Sequence, residues 1–250
     1  MYFIAFNMTL SIFLDSSINE NKVNAISHNF GINSVTKIPT NEPFLVFKEN
    51  GLNFFFDSSF TKSLHIDFLK GSMGWRLRRS DHEKLLKKTL GKFNEPLNIF
   101  DGTAGMLSDT LIFLALGHKV IAYEQSKIIF LLVLDALERA KSQLPFIENL
   151  KLLNGNSVEC FKRHANIDVI YLDPMYPEIK KNVLRSGNIA LIKDILQIEK
   201  IKDHGDNIFY EFKEYDYKKI VLKRPIKSEL LDNKYNYQIK GKSTRFDIYI

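Results

Sequence analysis

One cysteine and one tryptophan stand among 250 residues, with 12 glycines and 7 prolines. A lone Cys160 cannot close an intramolecular disulfide, which excludes a disulfide scaffold. It reads as a small, half-buried residue rather than a nucleophile. With no CxxC pair and no Cys/His cluster, no metal is expected. No apolar run approaches the roughly 20 residues needed to cross a bilayer. Residues 1–14 are strongly apolar, yet the first lysine is Lys22 and Asp15 follows without a small-residue cleavage site. A buried strand over 3–14 is therefore expected, in a cytoplasmic protein without membrane association.

What is present is the make-up of a folded protein: 45% hydrophobic and 26% charged residues exclude an intrinsically disordered chain and a collagen-like repeat. The length suits one large domain, or one domain with an appendage. The formal charge of +6 is unevenly spread, with −2 in each of 1–60 and 96–175 and +5 in each of 61–95 and 176–250. The first basic block is densest around Arg76, Arg78 and Arg79, and the last contains Lys223, Arg224, Lys242 and Arg245. Such clusters suit a polyanion such as RNA, because each lysine or arginine that meets a phosphate releases condensed counterions. A solvated helix face would carry the same charge.

The first 92 residues read as a small α/β region that includes the first basic block. A short helix is expected over 21–30, a β-hairpin from 44–47 and 52–56 around Gly51, another strand over 64–69, and a basic helix over 81–90. From residue 93 strands alternate with helices, the pattern of a mostly parallel sheet covered on both faces. Strands are expected over 97–100, 119–123, 150–153, 168–172 and 220–222, and helices over 109–116, 127–141, 158–163 and 188–198. Segments 235–240 and 245–250 read as an antiparallel C-terminal hairpin about Gly241. Ligands of such sheets bind beyond the carboxyl ends of the strands.

The strand at 97–100 runs into Asp101-Gly102-Thr103-Ala104-Gly105, which leads through Ser108 and Asp109 into a helix. Small residues here let a ligand approach the backbone closely. The next strand delivers Glu124, 23 positions after Asp101, a spacing at which a carboxylate accepts hydrogen bonds from ribose hydroxyls. GxGxxG is absent, because Ser108 occupies the place of a third glycine. A nucleoside cofactor without a pyrophosphate is therefore expected. Asn156 and Ser157, after the third strand, either bond the cofactor's edge or cap a helix.

The fourth strand ends in Asp173-Pro174-Met175-Tyr176-Pro177. An exocyclic amine of a base is a poor nucleophile, because its lone pair is delocalised into the ring. A carboxylate and a backbone carbonyl that accept its two N–H bonds turn the lone pair toward an electrophile, while an aromatic ring stacks on the base. Asp173, the Pro174 carbonyl and Tyr176 have the types and spacing for those roles. A proline-rich turn with a core tyrosine is the plain structural alternative.

At these residues the sequence resembles class I S-adenosylmethionine-dependent methyltransferases, and more narrowly the RsmJ family of small-subunit ribosomal RNA guanine-N2 methyltransferases. The matching stretches are IDF from Ile66, DGTAG from Asp101, YLDPMYP from Tyr171, KRP from Lys223 and GKSTRFDIY from Gly241, within a resemblance that runs from about residue 64 to the end. It implies a Rossmann-like sheet with a small N-terminal α/β appendage, S-adenosylmethionine as methyl donor, and a guanine N2 of 16S rRNA or the small subunit as acceptor. Its cofactor contacts fall on Ser108 and Asp109, Glu124 and Gln125, Asn156 and Ser157, and Asp173. The family usually has arginine where this chain has Ser108 and Gln125, and glycines where it has the charged stretch 75–83.

Two other readings stand beside this one. A DNA amino-methyltransferase would use the same four-residue motif on another base. An RNA-binding protein without catalysis is suggested by Ser108, Gln125 and the missing glycines. The absent GxGxxG speaks against a nicotinamide dehydrogenase.

Overall fold

The computed structural model describes residues 10–15, 20–175, 187–201 and 205–250, and its strands form two sheets. The first is built from β1 (Ser11–Phe13), β2 (Asn33–Val35), β3 (Phe44–Lys48), β4 (Gly51–Phe55) and β5 (Ser63–His65), with α1 (Glu20–Phe30) between β1 and β2. Its order is β2-β1-β3-β4-β5; β1 runs parallel to β2 and β3, and β3 to β5 form an antiparallel meander. The hairpin about Gly51 is as expected. The strand expected over 3–14 is described only at its end, since 3–9 lie outside the described residues. Asn33 and Ser34 are both exposed, so β2 has no apolar alternation by which to be recognised.

Two short helices follow, α2 (Gly71–Arg78) and α3 (Lys84–Leu90), around a single 3₁₀ turn at Ser80–His82. The helix expected over 81–90 thus starts later, and α2 was not expected, because Gly71 and Gly74 are poor helix formers. Tertiary packing places it: Gly74 is buried, and a Cβ there would stand 2.2 Å from the Leu69 carbonyl oxygen.

The second sheet begins with β6 (Asn98–Asp101), α4 (Thr110–Ala115), β7 (Lys119–Glu124), α5 (Lys127–Ala140), β8 (Leu150–Asn154) and α6 (Ser157–Phe161). It continues through β9 (Val169–Leu172), α7 (Gly187–Ile198), α8 (Asn207–Lys213), β10 (Ile220–Pro225), β11 (Tyr237–Lys240) and β12 (Thr244–Tyr249). The order is β11-β12-β10-β9-β6-β7-β8, and β12 alone among these strands runs against the others. The chain steps outward from β6 to β8 and then crosses back to β9, so the crevice of a doubly wound sheet opens where β6 meets β9.

Side-chain alternation along β9 divides the core. Val169 and Tyr171 join the cluster that includes α5 and the first sheet, whereas Ile170 and Leu172 join Phe209 and Phe212 on the opposite face. The first sheet is fastened to α5 by polar contacts as well, as the Leu52 N–H donates to Asp135 at 2.9 Å and Arg139 donates to both Asp135 and the Ile66 carbonyl. Helix α8, also unexpected, is held by its buried Phe212 against Phe100 and Phe161. No described helix is long and apolar enough to cross a membrane.

Candidate active site

At the carboxyl end of β6, the Asp101 carboxyl accepts the Thr103 N–H at 3.0 Å and the Thr110 hydroxyl. Burial outweighs those bonds and, with Asp109 and Asp173 nearby, pushes Asp101 up to about 7. The turn after it needs Gly105, whose φ of 49° lies in the left-handed region. Neighbouring segments are stitched to this turn. The Gly102 N–H donates to the Tyr171 carbonyl at 3.1 Å, the Asp173 N–H to the Thr103 hydroxyl at 2.7 Å, and the Ser157 hydroxyl to the Gly102 carbonyl at 2.8 Å.

Glu124 ends β7, buried, with Oε1 accepting the Ser126 N–H at 2.6 Å. Burial pushes its carboxyl up to about 7, against the Ser126 and Gly105 N–H groups and helped by the charge of Glu199. A buried carboxylate steadied by backbone donors, beside a glycine turn, fits the two hydroxyl donors of a ribose. The donor set therefore suits a nucleoside cofactor.

Glu199 had no signature in the sequence. It lies just beyond α7 and accepts the Lys127 N–H at 2.9 Å, the Ile128 N–H at 3.3 Å and the Ser126 hydroxyl. It satisfies backbone donors left over at the start of α5, where Ser126 is the N-cap and accepts the Ile129 N–H at 3.0 Å. Asn156 caps α6, its side-chain oxygen accepting from the Val158 N–H at 3.0 Å and the Glu159 N–H at 3.4 Å. The side chains of Ser108 and Gln125 are exposed, and the Ser108 carbonyl accepts from Arg76 at 2.8 Å.

A chain of alternating charges reaches the end of β9. Arg76 pairs with Glu83 at 2.6 Å and with Asp109 at 2.7 Å. Lys223 then bridges Asp109 at 2.8 Å and Asp173 at 2.7 Å. Burial would raise the Asp109 carboxyl, but Lys223 and Arg76 overcome it and hold the group at about 2, with the Tyr171 hydroxyl also donating to it. Burial likewise opposes the Lys223 charge, and the Asp173 and Asp109 carboxylates win, keeping the ammonium well above the ordinary lysine range. The Asp109 side chain is 6% exposed and that of Asp173 is 32% exposed, so only Asp173 opens toward a ligand. Asp109 can offer a cofactor its backbone, since its carboxylate is engaged.

Four of the seven cations expected to face RNA are engaged inside the protein. Arg76 and Lys223 belong to the charge chain. Arg224 is buried, paired with Asp206 and donating to the Ser228 hydroxyl at 3.3 Å. Arg245 is buried against Asp247, with Nε 3.0 Å and 3.1 Å from its two oxygens, and donates to the Glu229 carbonyl at 3.0 Å. The physical reason is that buried backbone carbonyls and carboxylates beside β10 need donors, and these guanidinium groups supply them. Arg78, Arg79 and Lys242 are exposed. Pro174 is buried directly after Asp173, and Tyr176 lies outside the described residues. Among the described residues no cluster of three or more His, Cys, Asp or Glu side chains is arranged to hold a metal.

A family model described as "Putative SAM-dependent methyltransferase" matches residues 28–250. The ribosomal RNA small subunit methyltransferase J of Nitrosococcus oceani is 35% identical over 197 residues, covering 75% of this chain and 76% of that protein. Its counterpart from Desulfotalea psychrophila is 31% identical over 201 residues, covering 78% and 76%. A crystal structure of a SAM-dependent methyltransferase from Neisseria gonorrhoeae shares the fold, with a TM-score of 0.71 at 24% identity over 96% of this chain and 95% of that one. Because the family match spans the whole second sheet and most of the first, the chain belongs to the ribosomal RNA small subunit methyltransferase J family of S-adenosylmethionine-dependent methyltransferases.

Proposed function

We propose that the chain methylates the exocyclic N2 of a guanosine in 16S ribosomal RNA, in the cytoplasm, with residues 93–250 carrying the chemistry and 1–92 helping to bind RNA. The observation that carries this reading is Asp173, open to a ligand yet pinned by Lys223 and by its own N–H on Thr103. The names of the relatives support ribosomal RNA as the substrate. When bound, S-adenosylmethionine supplies an electrophilic methyl group. Glu124 accepts the ribose hydroxyls of the cofactor, and the backbone from Gly102 to Asp109 lines its approach. Asp173 and the Pro174 carbonyl accept the two N–H bonds of the guanine amine and turn its lone pair toward the methyl carbon. The amine needs no strong base beforehand. It becomes acidic on gaining the methyl group, and the carboxylate of Asp173 steadies the positive charge until the amine's proton passes to solvent water. Tyr176 supplies the ring that stacks on the base, which must leave its own stack to arrive. Arg78, Arg79 and Lys242 meet RNA phosphates.

The test is to incubate the purified protein with methyl-labelled S-adenosylmethionine and unmodified 16S rRNA or small subunits, then digest to nucleosides. Label in N2-methylguanosine is expected. Its absence with both substrates overturns the reading, and label in DNA nucleosides would replace it with the DNA alternative. Asp173→Ala should lose most turnover while RNA binding persists; near-normal turnover refutes the role of Asp173.

A further inference from the structure

Helix α2 carries the single tryptophan of the chain, and Trp75 is 56% exposed. The Arg79 guanidinium lies over its ring, 4.8 Å from the centroid. Arg79 caps the carboxyl end of the helix, where its N–H donates to the Arg76 and Leu77 carbonyls. The helix beneath ring and cation is anchored. Arg76 is bonded to the Ser108 carbonyl at 2.8 Å and to Asp109 at 2.7 Å, and Gly74 abuts the Leu69 backbone with no space for a Cβ. The same arginine that places α2 beside the cofactor turn thus presents a fixed aromatic plane to solvent there.

We propose that Trp75, with Arg79 on its ring, is a stacking platform for an unpaired base of the RNA substrate; this rests on the ribosomal RNA reading above. A nucleotide offers a π-face and a phosphate, which a tryptophan and an arginine together satisfy. Arg78 and Arg79, both exposed beside Trp75, favour an anionic partner. When a target guanine leaves its stack, its neighbours lose a face, and an aromatic plane held beside the site replaces it.

Because Trp75 is the only tryptophan, the intrinsic fluorescence of the whole protein reports on this position. Titration with an unmodified 16S rRNA transcript should quench it, in parallel with binding measured by filter retention. Trp75→Ala should weaken RNA binding about tenfold or more, and Trp75→Phe should recover part of the loss. The salt dependence should keep its slope in both variants, since no charge is removed. Calorimetry with S-adenosylmethionine should be unchanged, which separates a lost platform from a damaged fold. Wild-type RNA affinity in Trp75→Ala overturns the platform, with or without quenching, and leaves the ribosomal RNA reading standing. Failure of the wild-type chain to bind either the transcript or unmodified small subunits overturns both.

Discussion

With Glu124 in its proposed role as acceptor of the cofactor's ribose hydroxyls, cofactor binding becomes a proton-linked event. Its carboxyl titrates at about 7 in the cofactor-free protein, because burial outweighs the backbone N–H groups of Ser126 and Gly105. Only the ionised form offers acceptors to both ribose hydroxyls, so binding holds the group ionised and expels its proton. The sign follows from that preference: affinity is nearly full above about pH 8 and declines as the pH falls through 7. If the bound carboxyl titrates well below the range studied, affinity for S-adenosylmethionine drops about tenfold by pH 6 and about a hundredfold by pH 5, or about 1.4 kcal/mol per unit. Calorimetry in buffers of different ionisation enthalpy should find about 0.9 protons released at pH 6 and about 0.1 at pH 8. Asp101 also titrates at about 7, but its oxygens are engaged by Thr103 and Thr110. Glu124→Gln separates the two carboxyls: the variant should bind more weakly and lose the pH slope. An affinity that stays flat from pH 8 to pH 5.5 in the wild type, or a slope that survives in Glu124→Gln, refutes the assignment.

Two further outcomes follow from the charges that turned inward. Lys223→Met unpins Asp173 while Asp109 keeps Arg76 and Tyr171. Turnover should fall by about a hundredfold, as for a misplaced reacting group, with RNA affinity unchanged; steady-state kinetics beside filter binding checks this, and the opposite split would make Lys223 an RNA contact. Arg245→Ala leaves the fully buried Asp247 without its cation, which costs about 3–5 kcal/mol. A Tm lowered by several degrees is expected, and a melt within about a degree of the wild type contradicts the structural role.

Much of the site was legible because its signals are local. Turn glycines, strand alternation and helical periodicity placed Asp101 and Glu124 at the ends of β6 and β7, with Asp173 just past β9. Helix α2 escaped because its glycines argue against a helix, and the contacts that favour it come from Leu69, Ser108 and Asp109. Glu199 escaped because an N-cap donor set 72 positions away leaves no trace beside it in the sequence.

The sequence by itself determined the sheet, the order of the motifs along it and the placing of Asp173 just past a strand end, since each is encoded within a few residues. Tertiary structure decided which cations are engaged inside the protein and which stay exposed. A run of arginines declares its charge locally, but the partner is chosen by folding: Asp109 is 33 positions from Arg76 and 114 from Lys223. Desolvation then decides the outcome, because a buried cation must find its anion inside the protein while an exposed one remains available to a ligand.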